Sequence, residues 1–169
     1  MRRLAAAVVS MLPFVAIAAD IPDLAFYRNA AEGGIAEVEM GNMAQQQGRS
    51  PSVRDFGALM VKDHSAVNEK LKVIAESKNI TLPANTSVEE MATKAKLKAL
   101  SGSSFDKAYI KGMIKDHQED IAEFKKEASS GRDPEARAFA SAILPTLESH
   151  LKKIQSIAAE AGMSADAAD

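Results

Sequence analysis

The 169-residue chain contains no cysteine and no tryptophan, and only 5% of its residues are aromatic. Without cysteine it forms no disulfide and no CxxC motif, and no N-terminal cysteine can carry a lipid anchor. We also find no phosphate-binding loop and no nucleophile–base pair in the sequence. These absences leave the enzyme classes that depend on such motifs without positive support. Because the chain has no disulfide, packing alone must stabilise the fold.

The N-terminus has the pattern of a secretory signal peptide. Two arginines follow the initiating methionine, an apolar run extends from Leu4 to Ala18, and that run ends in small residues. It is shorter than the roughly 20 apolar residues that span a bilayer. We therefore predict that residues 1–19 are removed on export, with cleavage near Ala18 or Ala19, and that the mature protein works in the periplasm.

The remaining residues, 20–169, are predicted to form one domain. Loss of Arg2 and Arg3 leaves 19 basic residues against 23 acidic ones. This excess of negative charge attracts neither nucleic acid nor an anionic membrane surface. No second apolar stretch is long enough to cross a bilayer, so we expect no integral membrane segment in the mature protein.

Alanine, lysine, glutamate, methionine and leucine dominate the composition, which favours helices. Ser50-Pro51 and Asp133-Pro134 each place a capping residue before a proline, and Ser87 begins a capping box. The predicted helices run from about Asp23 to Gln47, Pro51 to Lys78, Ser87 to Ser101, Ser103 to Ser130, and Pro134 to Gly162, the third of them being short.

Two tight connections, at 48–50 and 131–133, make the helices on either side of them antiparallel neighbours. We expect both connections at the same end of the molecule, with the longer segment 79–103 crossing one end. The predicted fold is an all-α, up-down-up-down, ferritin-like four-helix bundle with a short extra helix between the second and third long helices.

The three histidines of the chain fall one each on the second, third and fourth long helices. His64, His117 and His150 each lie within an apolar stripe in which residues alternate in steps of three and four, so all three point towards the core. Counting about 1.5 Å of rise per residue from the tight connections places them in one layer. The first long helix supplies a carboxylate near the same height, at Glu37.

Two interpretations of this layer remain open. In the first, His64, His117, His150 and Glu37 bind one transition-metal ion, and zinc, copper and iron all suit such a ligand set. In the second, the same residues form a hydrogen-bonded polar network that determines how the helices pack. Both account for a carboxylate in an apolar stripe, where it is costly unless it is paired or bound to a cation.

Four further residues accompany the histidines within an internal repeat spaced by 53 residues. Met60 and Met113 lie one turn before His64 and His117, where a thioether would favour Cu(I) but where a core methionine is the commoner role. Asp63 and Asp116 directly precede these histidines and point about 100° away. We expect the two aspartates to pair with lysines rather than to bind metal.

Several segments resemble an uncharacterised bacterial family of exported proteins. They are residues 34–41, the block from Asp55-Phe56 to His64, residues 105–109 and residues 144–150. The family is a domain of unknown function, often labelled predicted outer-membrane protein and placed near the ferritin-like superfamily. The resemblance covers about residues 22–158 and implies an exported four-helix bundle. No activity is implied by it.

The sequence departs from the di-iron ferritins, which use Glu-x-x-His motifs. The residues three positions before the histidines are Val61, Ile114 and Leu147. We therefore predict a non-enzymatic periplasmic bundle that binds a single transition-metal ion and acts in metal handling or envelope stress. The alternative is a structural or interaction protein whose histidine layer holds no metal.

Overall fold

The computed structural model describes residues 21–164. The predicted signal peptide lies outside the described residues. Within them the chain folds into five α-helices, and each begins or ends within a few residues of its predicted bounds. They are α1 (Leu24–Gln47), α2 (Pro51–Ser77), α3 (Val88–Lys98), α4 (Gly102–Ser130) and α5 (Pro134–Glu160).

The capping residues act largely as their sequence pattern indicates. The hydroxyl of Ser87 accepts a hydrogen bond from the backbone N–H of Glu90, which starts α3. The carboxylate of Asp133 accepts one from the backbone N–H of Glu135 and starts α5. Ser50 precedes α2 without a side-chain hydrogen bond, so the proline that follows it marks this start instead.

The four long helices form one bundle, with α1 packed mainly on α2 and α4 mainly on α5. Contacts of α1 with α4, and of α2 with α5, close it. The apolar core has two clusters, one above and one below the middle of the bundle. The upper cluster includes Phe56, Met60 and Met113, and the lower one includes Phe124 and Leu147.

The α1–α2 pair is held together by close backbone contact. A Cβ atom added to Gly57 would lie 2.6 Å from the carbonyl oxygen of Gly41, and one added to Gly41 would lie 2.7 Å from that of Gly57. No side chain larger than hydrogen fits in either place. This contact leaves no passage between α1 and α2 at that height.

The connection at 48–50 lies beside the beginning of α4. The backbone N–H groups of Arg49 and Ser50 each donate to the Asp106 carboxylate at 2.8 Å. Gly48 also forms an isolated bridge with Gly102, the first residue of α4. The α1–α2 turn and the beginning of α4 therefore share one end of the bundle.

The connection at 131–133 lies at the opposite end. The Asp133 carboxylate accepts a hydrogen bond from the Tyr27 hydroxyl at 2.9 Å and pairs with the Lys78 ammonium, also at 2.9 Å. Tyr27 is in the first turn of α1, and Lys78 directly follows α2. The beginning of α1, the end of α2 and the α4–α5 turn thus meet at this second end.

These contacts correct the predicted up-down-up-down order of the long helices, because the observed order is up-down-down-up. The segment between α2 and α4 contains α3 and runs the length of the bundle along α1 and α4, so α4 starts where α2 started. The prediction was wrong here because helix periodicity gives no direction for a helix that follows a long connection. The all-α helical bundle itself is confirmed, and it is compatible with the predicted ferritin-like fold. No helix between residues 21 and 164 is long and apolar enough to cross a membrane.

Candidate metal centre

Three histidines from three helices meet in the middle of the bundle. His64 of α2, His117 of α4 and His150 of α5 are 3%, 0% and 2% exposed. Their ring centroids are 5.3–5.8 Å apart, which is close to an equilateral triangle. One ligand atom of each histidine lies within 4.8 Å of those of the other two. We call these three residues the histidine triad.

The triad lies in one layer even though the predicted direction of α4 was wrong. His117 is near the midpoint of α4, so its height hardly changes when that helix is reversed. His64 is likewise at the midpoint of α2. The two apolar clusters lie above and below the layer, and the ring of Phe56 contacts it at 6.2 Å from His117 and 6.4 Å from His150, centroid to centroid.

Each imidazole uses one nitrogen for a hydrogen bond that orients the ring. His64 Nδ1 is 2.6 Å from the Glu37 carboxyl oxygen Oε2. His117 Nδ1 donates to the backbone carbonyl of Met113 at 2.9 Å. His150 Nε2 is 3.0 Å from Oδ2 of Asp63.

The other nitrogen of each ring has no hydrogen-bond partner in the described part of the chain. These atoms are Nε2 of His64, Nε2 of His117 and Nδ1 of His150, and all three are buried. Buried nitrogens without a partner are uncommon in folded proteins and call for an explanation. Histidines that bind metal typically donate their second N–H to a carboxylate or a backbone carbonyl. The triad has this arrangement at all three rings.

Burial keeps the imidazoles neutral. It lowers the pKa of His64 to about 4. Burial and the two neighbouring histidines lower the pKa of His117 to about 3. Burial also lowers the pKa of His150, against the opposing effect of Asp63. Neutral imidazole is the form that binds metal, so near neutral pH no proton has to leave these rings first.

Glu37, the fourth predicted ligand, contacts two rings of the triad. The residue is 2% exposed, and its carboxyl oxygens lie 2.6 Å from His64 Nδ1 and 3.4 Å from His117 Nδ1. Burial, then the charges of Asp116 and Glu90, raise its pKa well above the usual range. In this geometry Glu37 is placed to orient His64, and its role as a direct metal ligand stays a prediction.

Asp63 also differs from its expected role. It accepts the hydrogen bond of His150 instead of pairing with a lysine, and its side chain is 27% exposed. Asp116 is half-buried, and burial raises its pKa to about 6. The sequence signal for Asp63 was its place next to His64, but its use depends on α2 lying beside α5. Met60 and Met113 are fully buried in the upper apolar cluster.

The fold and this layer place the chain among ferritin-like helical bundles. The sequence profile of a domain of unknown function, DUF4142, matches residues 15–157. The chain therefore belongs to this family, and the resemblance seen in the sequence is confirmed. None of the curated proteins with which it was compared matches it.

Several solved structures share the fold at low sequence identity. A DUF305 protein from Streptomyces coelicolor, described as secreted, matches with a TM-score of 0.70 and 15% identity over 82% of this chain and 93% of its own. CopM in its Cu(I)-bound form matches with a TM-score of 0.69 and 16% identity over 83% and 98%. An Ag-bound form of CopM matches with a TM-score of 0.66 and 16% identity over the same shares.

Proposed function

We propose that the mature protein is a non-enzymatic, periplasmic metal-binding bundle that holds one Cu(I) ion in the histidine triad. The observation that supports this most directly is the set of three buried nitrogens without hydrogen-bond partners in the described residues, one on each of three rings that can bring a ligand atom within 4.8 Å of one another. Glu37, the Met113 carbonyl and Asp63 orient the rings from outside. Handling of copper in the cell envelope is the role that we propose for it.

The alternative is a polar network without metal, and it accounts for less of the geometry. In such a network the histidines would donate to and accept from one another. Here each histidine has its hydrogen-bond partner outside the triad, at Glu37, Met113 or Asp63. The second nitrogen of each ring is left without a partner within the described residues, and leaving a buried acceptor unpaired costs about 1–3 kcal/mol. Three such acceptors in one layer are explained by a cation that all three would bind.

The number of nitrogen donors and the charge of the ion both favour a cuprous ion over zinc or iron. Structural zinc is almost always four-coordinate, whereas the triad offers three nitrogens in an apolar layer. A monovalent ion also brings less charge into that layer than a divalent one, and burying charge is expensive. The similar bundle CopM has structures with Cu(I) and with Ag bound. We therefore extend cuprous binding, with silver as its analogue, to this chain.

The separation of the nitrogens is compatible with a shared ion. Bond lengths of about 2.0–2.1 Å to a central metal would put three nitrogens about 3.5 Å apart. The present limit of 4.8 Å requires only small movements of the rings. A bound cation would also favour the ionised form of Glu37, because it offsets the cost of burying that charge.

The test is an equilibrium titration of the purified mature protein with Cu(I) under reducing conditions, in competition with a chromophoric chelator. We expect one ion per chain and loss of binding in His64→Gln, His117→Gln and His150→Gln. Gln118→Ala, a change beside His117 that leaves the triad intact, is the matched control and should bind as the wild type does.

A thermal melt distinguishes the two interpretations independently. Free Cu(I) at one hundred times the dissociation constant should stabilise the wild type by about 2.7 kcal/mol. The histidine variants should gain nothing. If Cu(I) and Ag(I) leave the wild-type melt unchanged, the metal site is wrong and the polar network stands.

A further inference from the structure

The seam between α1 and α4 is covered by α3, and a polar cavity lies beneath it. Ion pairs of Lys94 with Glu39 and of Lys115 with Glu89 hold α3 over the seam, the second at 3.9 Å. The cavity has a volume of about 130 Å³, and Glu90 is among its lining residues. The side chain of Glu89 is 86% exposed at its rim. Carboxylates therefore extend from solvent to the covered part of the seam.

Gly33 of α1 leaves a gap between two of these carboxyl groups. A Cβ atom added there would lie 3.8 Å from Oδ1 of Asp120 and 3.9 Å from Oε1 of Glu90. Asp120 comes from α4 and Glu90 from α3, so the gap is at the junction of three helices. A methyl group would just touch both carboxyl groups, whereas a larger side chain would lie between them.

A second, smaller cavity continues inwards from this gap. Its volume is about 10 Å³, and Gly33, Asp120, Glu37 and His64 are among its lining residues. Oε1 of Glu37 and Nε2 of His64 are both buried and have no hydrogen-bond partner among residues 21–164. His64 Nε2 is one of the three nitrogens assigned to the metal. The inner cavity thus lies between Asp120 of the seam and His64 of the triad.

Two other seams are filled near the triad. Between α1 and α2, Gly34 lies against the Asn68 side chain and Glu37 contacts His64. Between α2 and α5, the hydrogen bond from His150 to Asp63 spans the seam. The apolar clusters above and below the layer contain no carboxylate. In the α1–α4 seam, carboxyl groups from three helices line the way from the surface to the triad.

We propose that a monovalent cation reaches the histidine triad through the α1–α4 seam at Gly33, passing Glu90 and Asp120 on its way to His64. This proposal rests on Cu(I) binding at the triad. Burial raises the pKa of Glu90 to about 7 and that of Asp120 well above its usual range, so a passing cation would replace protons there. Glu90 and Asp120 guide the ion, and the triad retains it.

The experiment measures rates and equilibrium separately. Stopped-flow transfer of Cu(I) from a weak chromophoric chelator gives the association rate, and competition with a stronger one gives the dissociation rate. Gly33→Leu should slow both at least tenfold and leave the dissociation constant unchanged, because a narrower path alters the barrier and not the end states. Gly33→Ala should have a smaller effect.

Two controls match these changes. Gly112→Leu makes the same substitution on α4, where an added Cβ meets nothing within 4 Å, and should keep wild-type rates. Asp120→Asn should slow association several-fold, whereas Glu69→Gln, an equal loss of charge on an exposed part of α2, should not. If Gly33→Leu does not fold, Gly33→Ala and Asp120→Asn provide the test.

Several results would overturn the path. Wild-type rates in both Gly33→Leu and Asp120→Asn would overturn it, and so would equal slowing in the control variants. A lower metal stoichiometry in Asp120→Asn would show that the seam is a binding site instead of a path. Absence of Cu(I) binding to the wild type at equilibrium would instead refute the proposed function. The two failures are therefore distinguishable.

Discussion

Asp63 provides the sharpest test of how the triad is oriented. Its carboxylate accepts the Nε2–H of His150 at 3.0 Å, which leaves the buried Nδ1 without a hydrogen-bond partner among the described residues. Asp63→Asn keeps an acceptor oxygen but loses the charge, and Asp63→Ala removes both. Loss of a residue that orients a metal-binding histidine typically weakens metal affinity 10- to 100-fold. We expect the alanine variant near the upper limit, about 2.8 kcal/mol, and the asparagine variant nearer the lower one, about 1.4 kcal/mol.

The measurement is competition for Cu(I) against a chromophoric chelator, with ¹⁵N NMR of the metal-free imidazoles as a second observation. His150 should carry its proton on Nε2 in the wild type and exchange between both nitrogens in Asp63→Ala. Asp55→Asn, an exposed charge change on the same helix, should bind as the wild type does. Wild-type affinity in both Asp63 variants would show that this hydrogen bond does not orient a ligand.

Three other predictions concern stability and processing. Gly57→Ala should destabilise the fold by about 1–3 kcal/mol in chemical denaturation, because its methyl group would overlap the carbonyl of Gly41 at 2.6 Å; an unchanged midpoint would contradict that contact. Burial raises the pKa of Glu127 to about 7, so folding takes up a proton and stability falls as pH rises from about 4.5 through 7. Glu127→Gln should therefore stabilise the protein on the order of 2 kcal/mol at pH 8 and little at pH 4, and a pH-independent difference would refute this. Mass spectrometry of natively expressed protein should find a new N-terminus between Ala19 and Ile21, and an intact Met1 would exclude export.

Local sequence alone was sufficient to locate the helices. Proline after a capping residue marks the beginnings of α2 and α5, and Ser87 marks that of α3, because these signals act within one turn of chain. The inward direction of the histidines also follows from local spacing, since a helix turns by about 100° per residue. The three histidines were predicted to lie in one layer from a topology that proved wrong. The prediction was still confirmed, because His117 is near the centre of α4 and its height hardly changes when that helix is reversed.

The sequence therefore determined that this is a helical bundle with three histidines in one buried layer. Only the tertiary structure decided how the α1–α2 pair packs against the α4–α5 pair, because the long connection through α3 allows α4 to run in either direction. That packing places Asp63 against His150, and the contacts between helices settle which ring nitrogens are left without a partner. Helix periodicity gives the face of a residue, whereas its hydrogen-bond partner on another helix depends on how the helices are arranged around the core.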